Sequence, residues 1–229
     1  MDSSNPEEPN LGHLIYWFNH GAAEYCHPSW HPEALTQLRE GRPIRTPLAL
    51  RVFSQWLIAN AGGGEVAGRG DDFDFTQPLS RLALVPTDAL MNVISVLGLL
   101  SLGLRLKHVL ERENVNQIQS IFGREIFTQA LRWADYFEPS LNVKWTATIP
   151  LDELQLALIK SGYQGLIKAL PQQNKAYMSR LSLKFPREIS RPPKASIKAL
   201  VTVPDVVAVQ QYAVPIFKSM EPSWANLFL

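Results

Sequence analysis

The side chains most capable of chemistry gather near the N-terminus, where His20, Cys26, His27 and His31 fall within a short stretch. Thiolate and imidazole are zinc's preferred ligands, and His27 and His31, four residues apart, would share one face of a helix. Pro28 and Pro32 break that helix, and adjacent Cys26 and His27 are badly placed to hold one ion together. Three well-placed ligands then remain without a fourth. The reading is of ordinary, partly buried polar residues. The alternative is a zinc-binding protein or small zinc-dependent enzyme built on His20, Cys26, His27 and His31. Cys26 as a nucleophile would also need an orienting group and an oxyanion hole, and no motif announces either.

Two glycine- and aspartate-rich stretches imitate other chemistries. Asp71, Asp72 and Asp74 look like the start of a calcium loop, but the glycine and distal glutamate of the twelve-residue pattern are missing. Gly62-Gly63-Gly64-Glu65-Val66-Ala67-Gly68 loosely resembles a phosphate-binding turn. Such a turn needs a strand before it and a helix N-terminus after it, and here a helix precedes and Gly70-Asp71-Asp72 follows. No Gly-Lys-Ser/Thr, His-Glu-x-x-His or Ser/His/Asp motif occurs. Asp152-Glu153 sits where a helix start favours negative charge, which accounts for it without catalysis. The residues therefore point to a protein that is not an enzyme and needs no cofactor or metal.

What surrounds these residues is an ordinary globular composition. The chain has 229 residues, 46% of them hydrophobic, with 22 basic against 21 acidic side chains and one cysteine. That excludes a mainly disordered chain, a disulfide scaffold and a cysteine-ligated metal cluster, and predicts a soluble protein kept inside the cell. The acidic, proline-bearing start, Met1 to Pro9, is the opposite of a secretory leader. Ala89 to Leu104 is an uncharged run of 16 residues; a membrane span needs about 20, so this run reads as a buried core helix and no membrane insertion is expected. Charge is uneven: residues 1–104 carry 6 basic and 11 acidic side chains, residues 105–229 carry 16 and 10. The segment 160–198 holds nine cations, Lys160, Lys168, Lys175, Arg180, Lys184, Arg187, Arg191, Lys194 and Lys198, against Glu188 alone. It predicts a positive surface that attracts acidic partners. Nucleic-acid binding through 160–198 is a further alternative, but no nucleic-acid module is recognisable there.

Apolar spacing predicts a mainly α fold, an irregular multi-helix bundle with little or no β-sheet. Leu11, Leu14, Ile15 and Phe18 mark the first helix. Pro32 and Glu33 open a second, which carries Leu35 and Leu38 and stops at Gly41. A third starts near Pro47 and runs through Leu48, Val52, Trp56 and Ala59 to Gly62. Others follow from Thr87 or Asp88 through Leu106, over Ile118 to Trp133, from Pro150 to before Pro171, and up to Phe185. Residues 186–195 read as an extended linker. The last helix begins near Asp205 and should kink or end at Pro215, before a terminus of Trp224, Leu227, Phe228 and Leu229. In domain terms, 1–59 is an N-terminal helical segment, 60–77 a flexible Gly/Asp-rich loop and 78–229 the main helical body, forming one compact unit with the N-terminal helices.

Four stretches carry a resemblance to a known family. They are His20-Gly21-Ala22-Ala23-Glu24-Tyr25-Cys26-His27-Pro28-Ser29-Trp30, Arg81-Leu82-Ala83-Leu84-Val85, Tyr177-Met178-Ser179-Arg180-Leu181-Ser182-Leu183-Lys184-Phe185-Pro186, and the closing Ile216-Phe217-Lys218-Ser219-Met220-Glu221-Pro222-Ser223-Trp224-Ala225-Asn226-Leu227-Phe228. In their order and spacing the chain resembles the SctK family of bacterial type III secretion systems, which includes YscK, PscK, MxiK and OrgA. The resemblance implies a cytoplasmic adaptor of the sorting platform, at the cytoplasmic face of the inner membrane. It would join the cytoplasmic domain of the ring protein SctD to the pod protein SctQ, and through SctQ reach the stator SctL and the ATPase SctN. A binding protein draws its affinity from a few aromatic or arginine anchors. The candidates are Trp30, Arg180, Lys184, Trp224 and Phe228. The competing reading is a core position for each aromatic and a solvated surface for Arg180 and Lys184.

Overall fold

The computed structural model describes residues 10–32, 46–61, 73–102, 106–107, 112–137, 150–170, 175–190 and 203–229. Its α-helices are α1 (Leu11–His20), α2 (Ala22–Tyr25), α3 (Pro47–Ala61), α4 (Pro78–Arg81), α5 (Thr87–Leu100), α6 (Arg112–Phe122), α7 (Arg124–Trp133), α8 (Leu151–Ala169), α9 (Lys175–Leu183), α10 (Arg187–Ser190) and α11 (Val206–Met220). Short 3₁₀ turns cover Pro28–Trp30, Leu82–Leu84, Ala134–Tyr136 and Pro222–Phe228. The fold is all-α, with no strand among the described residues.

Local chemistry explains where the helices begin. The Asn10 side chain accepts from Gly12 N (2.9 Å) and His13 N (3.3 Å) and caps α1. Thr46 Oγ1 accepts from Ala49 N ahead of α3, whose first residue is Pro47. Asp205 accepts from Val207 N at the start of α11. Asp152 and Glu153 lie in the first turn of α8 and Lys168 in its last, as the helix dipole favours.

Two compact units divide the chain, each discontinuous in sequence. The first comprises Met1–Thr87, Gln173–Arg187 and Pro222–Leu229; the second Asp88–Gln172 and Glu188–Glu221. At the centre of the first, fully buried Phe18 lies 5.6–6.1 Å from the rings of Tyr25, Phe73, Phe75 and Tyr177. Both tyrosine hydroxyls bond backbone there, Tyr25 to Phe18 O and Tyr177 to Ser80 O, each at 2.8 Å. A neighbouring cluster joins Ala22, Ala23, Tyr25, Cys26, Leu57 and Leu183, with Trp17, Trp30, Leu50, Phe53 and Ile58 packed against it. Arg81 ties distant segments together, donating to the carbonyls of Phe75 and Leu227 at 2.8 Å and of Leu229 at 3.0 Å.

The second unit holds the apolar helix α5, buried almost throughout from Ala89 to Leu100. It crosses α8 at Gly98 and Gly162. A Cβ on Gly98 would collide with the Leu158 carbonyl, and one on Gly162 with that of Ile94, so the two backbones approach as only glycine allows. Elsewhere in this unit Gln210 Nε2 donates to Ala169 O (3.1 Å) and the Ser219 hydroxyl to Gln129 Oε1 (3.2 Å).

Some sequence expectations need correction. The span from Ile118 to Trp133 is two helices, broken at Gly123, whose φ of +83° admits glycine readily and other residues rarely. Pro215 neither ends α11 nor separates it into two elements. Pro215 and Gln211, whose carbonyl loses its donor, are both exposed, so the gap in the hydrogen-bond ladder lies on the solvent side of the helix rather than in the core. Residues 187–190 form α10 rather than extended linker, and α5 stops at Leu100, short of Leu106. Phe73 and Phe75, placed in the loop 60–77, belong to the aromatic centre of the first unit. The predicted helix bearing Leu35 and Leu38, the glycine run 62–68, and Asp71 and Asp72 lie outside the described residues.

Candidate interaction surface

Arg180 and Lys184 were expected at the surface, facing either a partner or solvent, and the structure corrects this. Arg180 shares the inward face of α9 with Tyr177 and Leu181, and Lys184, in the turn just past the end of α9, continues the same three- and four-residue spacing. Lys184 is 0% exposed and Arg180 3%. The Lys184 ammonium donates to Val85 O at 2.7 Å and lies 5.3, 6.0 and 5.5 Å from the ring centres of Trp17, Phe18 and Tyr25. Burial pushes its pKa down to about 7. The Arg180 guanidinium covers the Phe73 ring at 4.6 Å. Lys160 is also buried, at 2%. Three cations of the basic segment 160–198 are thus interior, while Lys168 and Arg187 are exposed.

The aromatic candidates divide. Phe228 is buried at 5% exposure, beside Leu227 in the closing 3₁₀ turn. Trp224 is half-buried in the same turn. Trp30, also half-buried, packs against the α2–α3 cluster, donates from Nε1 to Phe185 O at 2.8 Å and carries Arg187 over its ring at 5.4 Å. Close by, His27 N donates to Leu183 O and Arg187 N to Ser29 Oγ, each at 2.8 Å. Trp30 therefore helps clasp the segment 183–187 onto the N-terminal helices.

His20, Cys26, His27 and His31 do not converge. No group of three or more histidine, cysteine or acidic side chains suited to a metal occurs among the described residues. Cys26 is buried and its thiol contacts His27 O at 3.3 Å. His27 Nδ1 bonds Ser29 Oγ at 2.9 Å, and burial lowers its pKa. His31 meets Phe53 edge-on and His20 meets Tyr16. Nor does Asp74 need an ion, since it accepts from the Thr76 amide and hydroxyl, which hold its pKa low.

A surface that sequence reasoning missed lies on α1 and α3. A cleft of about 580 Å³ is lined by His13, Tyr16, His20 and Glu24 on one side and by Leu50 and Arg51 of α3 on the other. Farther round α3, Leu48, Val52 and Trp56 are exposed at 72%, 57% and 43%. These residues mark α3 as a helix in the sequence, yet the side it buries is that of Ser54 and Leu57. Their four-residue spacing was legible; their outward direction was not, because α3 carries apolar side chains on both sides, Leu50, Phe53, Leu57 and Ile58 being the set that packs inward.

No helix among the described residues is long and apolar enough to cross a membrane. Searches of curated proteins and of solved structures return no match for this chain. The family model for YOP proteins translocation protein K (YscK) matches residues 14–219, a span that takes in α1 through α11 nearly whole and both compact units. With most of its length inside that match, the chain belongs to the YscK family of type III secretion proteins.

Proposed function

We propose that this protein is a non-enzymatic adaptor of the type III secretion sorting platform, stationed at the cytoplasmic face of the inner membrane. It links the cytoplasmic domain of the ring protein SctD to the pod protein SctQ, and through SctQ to SctL and the ATPase SctN. The observation that carries this reading is the family match over residues 14–219. An all-α body with exposed apolar side chains on α3 is consistent with a protein that works by binding.

Co-purification of the full chain with the SctD cytoplasmic domain and with SctQ, separately and together, tests it. The expected result is a ternary complex that neither partner forms without this chain. Absence of binding to both would remove the adaptor reading. Charge reversal at Arg180 or Lys184 is unsuitable for mapping, since both are interior; Arg51→Glu and Tyr136→Ala alter exposed residues, one in each unit.

A further inference from the structure

We propose that the outward face of α3, together with the α1–α3 cleft, docks an acidic amphipathic helix of a partner protein. Of the eight large apolar or aromatic side chains exposed among the described residues, four, Tyr16, Leu48, Val52 and Trp56, lie on these two helices, while Tyr136, Leu151, Val207 and Leu229 are each on a different element or terminus. Leu48, Val52 and Trp56 recur every fourth residue, a ridge about 12 Å long that two turns of a second helix would cover with anchors at i, i+3 or i+4, and i+7. Extension of a sheet is not available as a docking mode, because no strand occurs among the described residues.

The charge of the partner follows from Arg51. Its position on α3 falls between the cleft-lining residues Pro47, Leu50 and Ser54 and the ridge that starts at Leu48. Anything covering both surfaces covers the guanidinium, and a cation buried without a counter-charge is costly. Arg51 forms no ion pair among the described residues. Glu24, the acidic group of the cleft lining, already accepts from Trp17 Nε1 at 3.1 Å. His13 and His20 add further donors to the same lining. The surface therefore offers donors and apolar area and calls for carboxylates. A second copy of the chain docked face to face would bring Arg51 against Arg51, and a lipid surface, being flat, would leave the cleft unfilled.

The test uses the full chain and three fluorescein-labelled helical probe peptides with one leucine face, the other face being glutamate, glutamine or lysine, followed by fluorescence anisotropy. The expected order is glutamate over glutamine over lysine, with about ten-fold or more between the extremes. Val52→Asp should weaken the glutamate probe about ten-fold, and Arg51→Glu should reverse the preference toward lysine. Both positions are exposed, so unchanged circular dichroism and melting of the variants separate lost docking from lost folding. Charge-blind binding, binding indifferent to both substitutions, no binding, Val52-dependent self-association in sedimentation, or Val52-dependent pelleting with anionic phosphatidylserine vesicles would each overturn the proposal. None of these outcomes bears on co-purification with SctD and SctQ, so failure here is distinguishable from failure of the adaptor reading.

Discussion

Lys184 pairs with no carboxylate among the described residues; one backbone carbonyl and three aromatic faces are what its ammonium meets. With its pKa depressed from 10.5 to about 7, the folded chain binds fewer protons than the unfolded chain between those values. Stability must therefore rise with pH across that window, by at most about 1.4 kcal/mol per pH unit. Urea unfolding from pH 6.5 to 9.5 should show this slope in the wild type and lose it in Lys184→Met. Equal slopes in the two proteins would refute the assignment. Tyr25 and Tyr177, whose burial raises their pKa values above 10, stay neutral in the folded chain. Their ionisation in the unfolded chain opposes the slope only toward the top of the range and is common to wild type and variant, so the difference between the two slopes still reports Lys184. Neither Lys184 nor Arg180 was legible as interior from residue type, since cations are ordinarily exposed. Their spacing with Tyr177 and Leu181 held the information, but a helical period shows a shared face without showing which way it points.

Helices themselves were readable, because their ends are written in short-range chemistry: Asn10, Thr46 and Asp205 as caps, Pro47 and Pro150 at starts. Boundaries set by a single backbone angle were not, as at Gly123, nor were contacts between helices distant in sequence, as at Gly98 and Gly162. Gly162→Ala should force α8 away from α5 and destabilise the protein by about 1–3 kcal/mol, seen as a lower urea midpoint. An unchanged midpoint would mean that the crossing is looser than described. Pro215→Ala should act oppositely. Pro215 is exposed, so replacement loses little packing, restores the amide donor to the Gln211 carbonyl and relieves part of the roughly 3 kcal/mol penalty of a mid-helix proline. The expected outcome is a higher midpoint and melting temperature, and a lower one would show that the ring contributes packing.

At the scale of the molecule, the first unit depends on segments more than a hundred residues apart. Arg81 reaches the carbonyls of Leu227 and Leu229, Trp30 that of Phe185, and Lys184 that of Val85. Deleting residues 222–229 should loosen the first unit selectively. Amide hydrogen exchange should accelerate at 75–85 and much less at α8, because Leu227, Phe228 and the Arg81 acceptors are lost together. Uniform acceleration in both units would show that they unfold as one. Composition and period could announce an all-α chain, but not which segments meet, since pairing over such separations leaves no local trace. This arrangement also dictates timing on the ribosome. Nascent residues 10–87 emerge with their closing pieces, 173–187 and 222–229, still unsynthesised, so the first unit completes its core only once residues 222–229 have left the ribosome. Until then the aromatic centre around Phe18, Tyr25 and Phe75 lacks Tyr177 and the Arg81 acceptors that close it, so the unit's hydrophobic core is exposed for most of synthesis.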